Sequence, residues 1–370
     1  MKEHSVCSDV KSRLKAIESL KREFVMAYAE SIVSGDINRI AQTQQLKHDL
    51  VEEYSELQKI MDAASVENLF HLRQQYRDQV DLLEKVDMID SLCLTGIDGK
   101  AYPLPSYDVI VERIAERLDF FRMKADQGFT KLLLVPFGMS LEEMVKKMMR
   151  YVITFEMEHP HALSADTFMP VSVIDDFEHE DVDGGLVYDV VAFDPTKHGG
   201  HTKQEWLAEQ QQTQSPTAGW HILFCQSRKD GKGIRSIPEQ GSGKTDGAPL
   251  PRKEIERGQL VREYLVHQIS TASDEESPYF GESGVATEEW FMMFMRHLEE
   301  TLEPLDMGGG GAYSTSWLTG SYRAKKDQAL YACWMNEYED ENDSFLCLSS
   351  DDNYDSTPHP SRGVRFVVRV

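Results

Sequence analysis

Cysteine is scarce in this 370-residue chain and shows no pattern: Cys7, Cys93, Cys225, Cys333 and Cys347 form no CxxC spacing. An odd, sparse set argues against a disulfide framework and points to synthesis in a reducing compartment, the cytoplasm, with the final location open. Positive charge is also short. Lys and Arg number 39 against 63 Asp and Glu, a formal net charge of −24. Phosphate and anionic-lipid surfaces are bound largely by Lys and Arg displacing counterions, so nucleic acid and membrane surfaces are poor partners for this composition. No apolar run approaches 18 residues, so no membrane insertion is expected. The opening MKEHSVCSDVKSRLKAIESLKREF has no apolar stretch of the kind a secretory signal needs. No internal repeat of 20 to 50 residues is visible.

The hydrophobic fraction, 41%, is enough for packed interiors. The length suggests two or three domains. Residues 1–92 read as a helical bundle or coiled-coil region. Leu14, Ile17, Leu20 and Phe24 recur at three- and four-residue steps, Ser34-Gly35-Asp36 breaks the run, and Leu50, Tyr54, Leu57 and Met61 continue it. A third helix carries Leu69, Tyr76, Val80 and Leu83. The spacing resembles a coiled coil but spans few heptads, so it fits either a hairpin packing within its own chain or a homo-oligomer formed through these helices.

Residues 93–158 read as a small α/β unit. Ser106 caps an amphipathic helix, Lys131-Leu132-Leu133-Leu134-Val135 has strand length, and Ser140-Leu141-Glu142-Glu143 opens a further helix. From 159 onward, strands and loops mix. Gly185–Phe193 and Trp220–Phe224 are the clearest strands, residues 252–268 look helical, and Thr287 caps a helix burying Trp290, Phe291, Phe294 and Leu298.

Four motifs invite chemistry and are outweighed by simpler readings. Gly241-Ser242-Gly243-Lys244-Thr245 ends like a phosphate loop, but Pro238 stands where its first glycine belongs and no helix follows. His198 and His201, with His179 upstream, have no further ligand at metal spacing, and a glycine turn into a helix explains them. Cys333 and Cys347 sit among carboxylates, which raise a thiol pKa. The acidic run 337–343 lacks the glycine of a calcium loop and reads as a solvated face. No cofactor or metal site and no catalytic residue is assigned.

The tail is more specific. Between Lys326 and Arg362 there is no Lys or Arg. Asn336, Tyr338, Asp340 and Asn342 alternate with glutamates, then Phe345, Cys347 and Ser349 alternate with Leu346 and Leu348. In a strand, Leu346 and Leu348 would face inward and their neighbours outward. Asp352, Asn353, Tyr354, Asp355 and Ser356 continue on a loop. Tyrosine, asparagine and serine are also the residues of antibody paratopes, giving contact area and adaptable hydrogen bonds at small entropic cost.

The order WLTGSY (317–322), ACW (332–334), a heterogeneous stretch and the terminal GVRFVVRV (363–370) resembles the variable proteins of diversity-generating retroelements, which have a C-type lectin fold of the formylglycine-generating-enzyme type. The upstream TKLLLVPFGMSLEEM and GWHILF stretches and the Thr287–Leu302 helix fit the same layout. The resemblance implies an α+β protein: an N-terminal helical bundle, then a C-type-lectin-like ligand-binding domain over 159–370 with its variable segment at about 333–362. It implies hypervariable positions at Asn336, Tyr338, Asp340, Asn342, Phe345, Cys347, Ser349 and 352–356, because diversified AAY codons give Asn, Asp, Tyr, Ser, Phe and Cys but never a stop. It implies scaffold roles for Trp317, Trp334, Gly363 and Val367. The function so implied is noncovalent binding of varied protein or cell-surface ligands, with Tyr338, Phe345 and Tyr354 supplying contact energy, and no enzyme activity. Two alternatives stay open: a thiol oxidase using Cys333 and Cys347, whose separation of fourteen departs from the close cysteine pair of the enzyme relatives, and a calcium-dependent lectin.

Overall fold

The computed structural model describes residues 3–34, 36–160, 162–165, 169–174, 177–239, 245–246, 252–253, 255–308, 314–336, 344–351 and 357–370. It is a mixed α+β protein, helical at the front and sheet-rich toward the C-terminus. The chain divides into two compact units, residues up to Leu72 with Val111–Leu118, and Arg73–Ile110 with Asp119–Val370. None of the described helices is long and apolar enough to cross a membrane.

The first unit is dominated by two long helices, α1 (Glu3–Ser34) and α2 (Ile37–Phe70). Asp36 ends the turn between them by accepting the Asn38 N–H at 2.9 Å, satisfying one of the free donors at a helix start. The helices run antiparallel, tied by Arg13–Glu53 at 2.8 Å and Arg39–Glu30 at 2.5 Å. Their seam holds Ile17, Ser31, Thr43 and Leu57 buried, with Leu20, Phe24, Leu46 and Leu50 half-buried. Leu14, Tyr54 and Met61, expected on the same apolar face, are instead 46%, 40% and 50% exposed.

The second unit begins with most of α3 (Leu72–Lys85), then β1 (Cys93–Thr95), β2 (Ala101–Pro103), the first residues of α4 (Tyr107–Glu116, whose Val111 onward belongs to the first unit), all but the first residue of α5 (Leu118–Asp126), β3 (Phe129–Val135) and α6 (Leu141–Glu158). Further along lie β4 (Val171–Val173), β5 (Leu186–Tyr188), α7 (Lys203–Gln212), β6 (His221–Gln226), β7 (Thr245–Asp246), β8 (Arg252–Lys253), α8 (Val261–Ala272), β9 (Glu282–Gly284) and α9 (Thr287–Thr301). The chain closes with β10 (Met307–Gly308), β11 (Thr315–Arg323), β12 (Gln328–Asn336), β13 (Ser344–Asp351), β14 (Arg362–Val364) and β15 (Phe366–Arg369).

Two sheets organise this unit. One has the order β3-β6-β15-β9; the other runs β14-β11-β12-β13-β4, with β10 also on β12 and β5 on β11. The open edge of β3 is covered from α3: Gln75 and Gln79 accept the Leu132 and Leu134 N–H groups at 2.9 and 3.0 Å. A strand edge left bare would template aggregation. Helix α9 packs on both β3 and β11, and every residue from Thr287 to Leu298 is buried. Its apolar residues Trp290–Met295 and Leu298 fill the core, and its buried Glu288, Glu289, Arg296 and His297 are each paired inside it.

Four further sequence expectations change. Of the strand expected at Gly185–Phe193, only Leu186–Tyr188 forms, as β5. The terminal strand is broken at Arg365: β14 pairs with β11 in one sheet and β15 with β6 and β9 in the other. Arg365 turns inward instead and donates to Asp306 at 3.0 Å. Residues 252–268 are not one helix, since α8 starts only at Val261. Thr287 is already inside α9, and Glu289 ties the helix start by accepting the Ala286 N–H at 2.8 Å.

Candidate functional site

The tail's alternation is present in β13. Ser344, Leu346 and Leu348 are buried while Phe345, Cys347 and Ser349 are only half-buried. The strand is held by an unbroken antiparallel register with β12, from Ala329↔Asp351 to Asn336↔Ser344. On the inner face Trp334 lies opposite Leu346 and stacks on Phe294 of α9 at 5.7 Å, and Phe294 stacks on Trp290 at 5.5 Å. Burying an aromatic of this size stabilises by about 3 kcal/mol.

The opposite face is a row of cross-strand pairs, Tyr331 with Ser349, Cys333 with Cys347 and Met335 with Phe345, in which Cys333 is fully buried and the others are half-buried. β11 extends it, placing Trp317 beside Tyr331 in an edge contact at 5.7 Å. Arg362, from the neighbouring β14, lays its guanidinium over Tyr331 at 4.1 Å and Trp317 at 4.8 Å, and also donates to Asp351 at 2.5 Å. An arginine held over aromatic faces and paired to a carboxylate is fixed in orientation.

Of the sequence-predicted site residues, the fold therefore gathers Phe345, Cys347 and Ser349 on one face. The side chain of Asn336, and Tyr338, Asp340, Asn342, Asp352, Asn353, Tyr354, Asp355 and Ser356, lie outside the described residues. So do the phosphate-loop look-alike 241–244 and the acidic run 337–343. Sequence reasoning missed Tyr331 and Arg362. Carrying the two-residue alternation back from Cys333 through Tyr331 would have found the tyrosine; nothing local marks Arg362. Trp317, Trp334, Gly363 and Val367 are all buried.

Cys333 and Cys347, fourteen apart in sequence, are brought directly opposite each other. A hydrogen bond with Cys347, then burial, pushes the Cys333 thiol above its ordinary range. The thiolate, which is the reactive form, is disfavoured there.

A second polar cluster is sealed inside the same unit. Lys203 Nζ lies 2.6 Å from Asp181 and 2.8 Å from Glu288, all three side chains fully buried, and Tyr188 donates to Glu288 at 2.6 Å. Beside it, Glu289 contacts His221 Nδ1 and Arg369, each at 2.9 Å. Burial alone would raise Glu289, but Arg369 and the hydrogen bond from His221 outweigh it and hold the carboxyl at about 2. The cluster locks the start of α9 to α7, β5, β6 and β15; Lys203, Asp181, Glu288 and Glu289 are fully buried, and Arg369 alone among these residues is part-exposed. Among the described residues no group of three or more His, Cys, Asp and Glu could hold a metal ion.

In comparisons with protein-family models, curated proteins and solved structures, nothing matches the chain.

Proposed function

We propose that this is a ligand-binding display protein of the diversity-generating-retroelement type, with a C-type-lectin-like domain whose outer β12–β13 face and adjoining segments 336–342 and 352–356 form an exchangeable binding surface. The observation that carries the proposal is the division of labour within β13. Its inward residues, Leu346 and Leu348, belong to a core pinned by Trp334 and α9, while Phe345, Cys347 and Ser349 alternate with them and are only half-buried. A substitution at one of these half-buried positions costs less stability than truncating Leu346 or Leu348, which costs about 2–5 kcal/mol. Tyr331 and Arg362, beside these positions, are residue types that dominate binding hot spots. The ligand class is a protein or a cell-surface component, bound noncovalently.

The test is at the level of the gene. Reading its 3′ end across many individuals of the source population should reveal substitutions concentrated at adenines in the codons for 336–356. The codons for Trp317, Trp334, Gly363 and Val367 should stay constant. A uniform segment, or changes spread evenly over the gene, would sink the proposal.

The pairing of Cys333 with Cys347 favours one other reading, a copper-dependent thiol oxidase. It ranks second because the Cys333 thiol is held in its unreactive form. Copper-dependent oxidation of a thiol peptide that disappears in Cys333→Ser would reverse the order.

A further inference from the structure

The α1–α2 hairpin carries more apolar surface than its own seam uses. On α1, Leu14, Val25, Tyr28 and Ile32 are 46%, 63%, 52% and 66% exposed. On α2, Ile37, Ile40, Val51, Tyr54 and Met61 are 80%, 42%, 59%, 40% and 50% exposed. Met26 and Val33, 65% and 88% exposed, stand apart; the other nine positions are not scattered. In α1 they fall on the series 14-18-21-25-28-32, and in α2 on 37-40-44-47-51-54-58-61, each a run of three- and four-residue steps. Each series sits one residue after the seam positions of its helix, such as Phe24 before Val25 and Leu57 before Gln58. One residue is a turn of about 100°. Because the helices are antiparallel, that rotation has opposite sense in the two and brings both stripes to the same side of the hairpin. Lys21, on the first stripe, lies 5.1 Å over the ring of Tyr54, on the second.

A lone helical pair needs one narrow seam, whereas a helix in a four-helix bundle needs the wider face formed by a seam and an adjoining stripe. The hairpin provides that wider face on both helices. We infer that this face is covered by the same face of a second copy of the chain, giving a dimeric four-helix bundle. The area fits. Nine side chains about half exposed, each offering on the order of 100 Å², leave roughly 900 Å², against about 800 Å² per partner in a stable interface and about 300–600 Å² for the largest patch on an ordinary monomer. Between the apolar blocks the stripes carry Glu18, Lys21, Gln44, Lys47 and Gln58, a belt of mixed sign that a twofold partner can complement. The inference does not rest on the ligand-display reading, but a dimer would present two binding faces and raise avidity.

Sedimentation equilibrium of the full chain across the micromolar range tests it. The expected result is a dimer whose dissociation constant rises about a hundredfold in Ile32→Glu or Ile40→Glu, with the far-UV spectrum retained. Ile32→Ala and Ile40→Ala, which bury no charge, should weaken it about tenfold. They serve as the readout if the glutamate variants lose helix. Val33→Glu should leave the dimer unchanged: Val33 is 88% exposed but lies off the stripe. A monomer throughout that range, or a dimer as sensitive to Val33→Glu as to the stripe variants, would overturn the inference.

Discussion

His297, in the last turns of α9, makes stability depend on pH in a defined window. Its Nδ1 accepts the Ile234 N–H at 2.8 Å, and the residue is only 5% exposed. Accepting there requires the neutral ring with its proton on Nε2; a proton on Nδ1 would point at another donor. Burial, followed by the charge of Arg365, lowers the pKa from an ordinary 6.5 to about 4. The unfolded chain thus takes up a proton near pH 6.5 while the native ring refuses one until about 4. Between those values the unfolded state binds more protons, so stability falls as pH falls, by about 1.4 kcal/mol per unit and roughly 3 kcal/mol across the window. Urea unfolding followed by tryptophan fluorescence, at pH 7.5, 6.5, 5.5 and 4.5, measures the slope. His297→Gln, which keeps an acceptor for Ile234 but cannot titrate, should flatten the profile above pH 5. Below that, carboxylates such as Glu289, held at about 2, take over as the acid-sensitive groups. The reasoning is refuted if wild type and His297→Gln lose stability in parallel from pH 6.5 to 5.

Two further perturbations probe the interior. Lys203→Met leaves Asp181 and Glu288 facing each other in the core without their shared cation. The expected loss is about 3–5 kcal/mol in the urea transition, and a loss under about 1 kcal/mol would mean the cluster is wetter than its geometry implies. Gly320→Ala would set a methyl 2.5 Å from the Gly284 carbonyl oxygen and 2.7 Å from the Ala286 nitrogen, backbone atoms that cannot rotate away. It should cost about 1–3 kcal/mol or more, seen as a lowered thermal midpoint.

What was legible from sequence was whatever a local period encodes. The helices of the front end, the β3 run Lys131–Val135 and the inward-outward alternation of 345–349 all follow from spacing alone. The caps at Ser106 and Ser140 follow from single side chains reaching nearby N–H groups. What was not legible depends on residues distant in sequence. Asp306 accepts from Trp290, Ser316 and Arg365, three different segments, and that convergence is what breaks the terminal strand. The glutamines that close the edge of β3 are more than fifty residues away from it. At the tail, alternation identified Phe345, Cys347 and Ser349 but could not supply their neighbours, because strand pairing, not sequence adjacency, sets Tyr331 and Cys333 opposite them.

That same pairing bears on how a diversified surface could remain foldable. Hydrogen bonds along the β12–β13 ladder come from the backbone and are indifferent to side-chain identity, so exchanging an outward residue leaves the register in place. Register is held from the other side, where shifting the pairing by one residue would move Trp334, Leu346 and Leu348 out of the core. Three large apolar side chains, at about 2 kcal/mol each, give on the order of 6 kcal/mol against such a slip, well above the cost of an ordinary surface substitution. On the display reading, the stability of the surface is therefore carried by the half of the strand that does not vary.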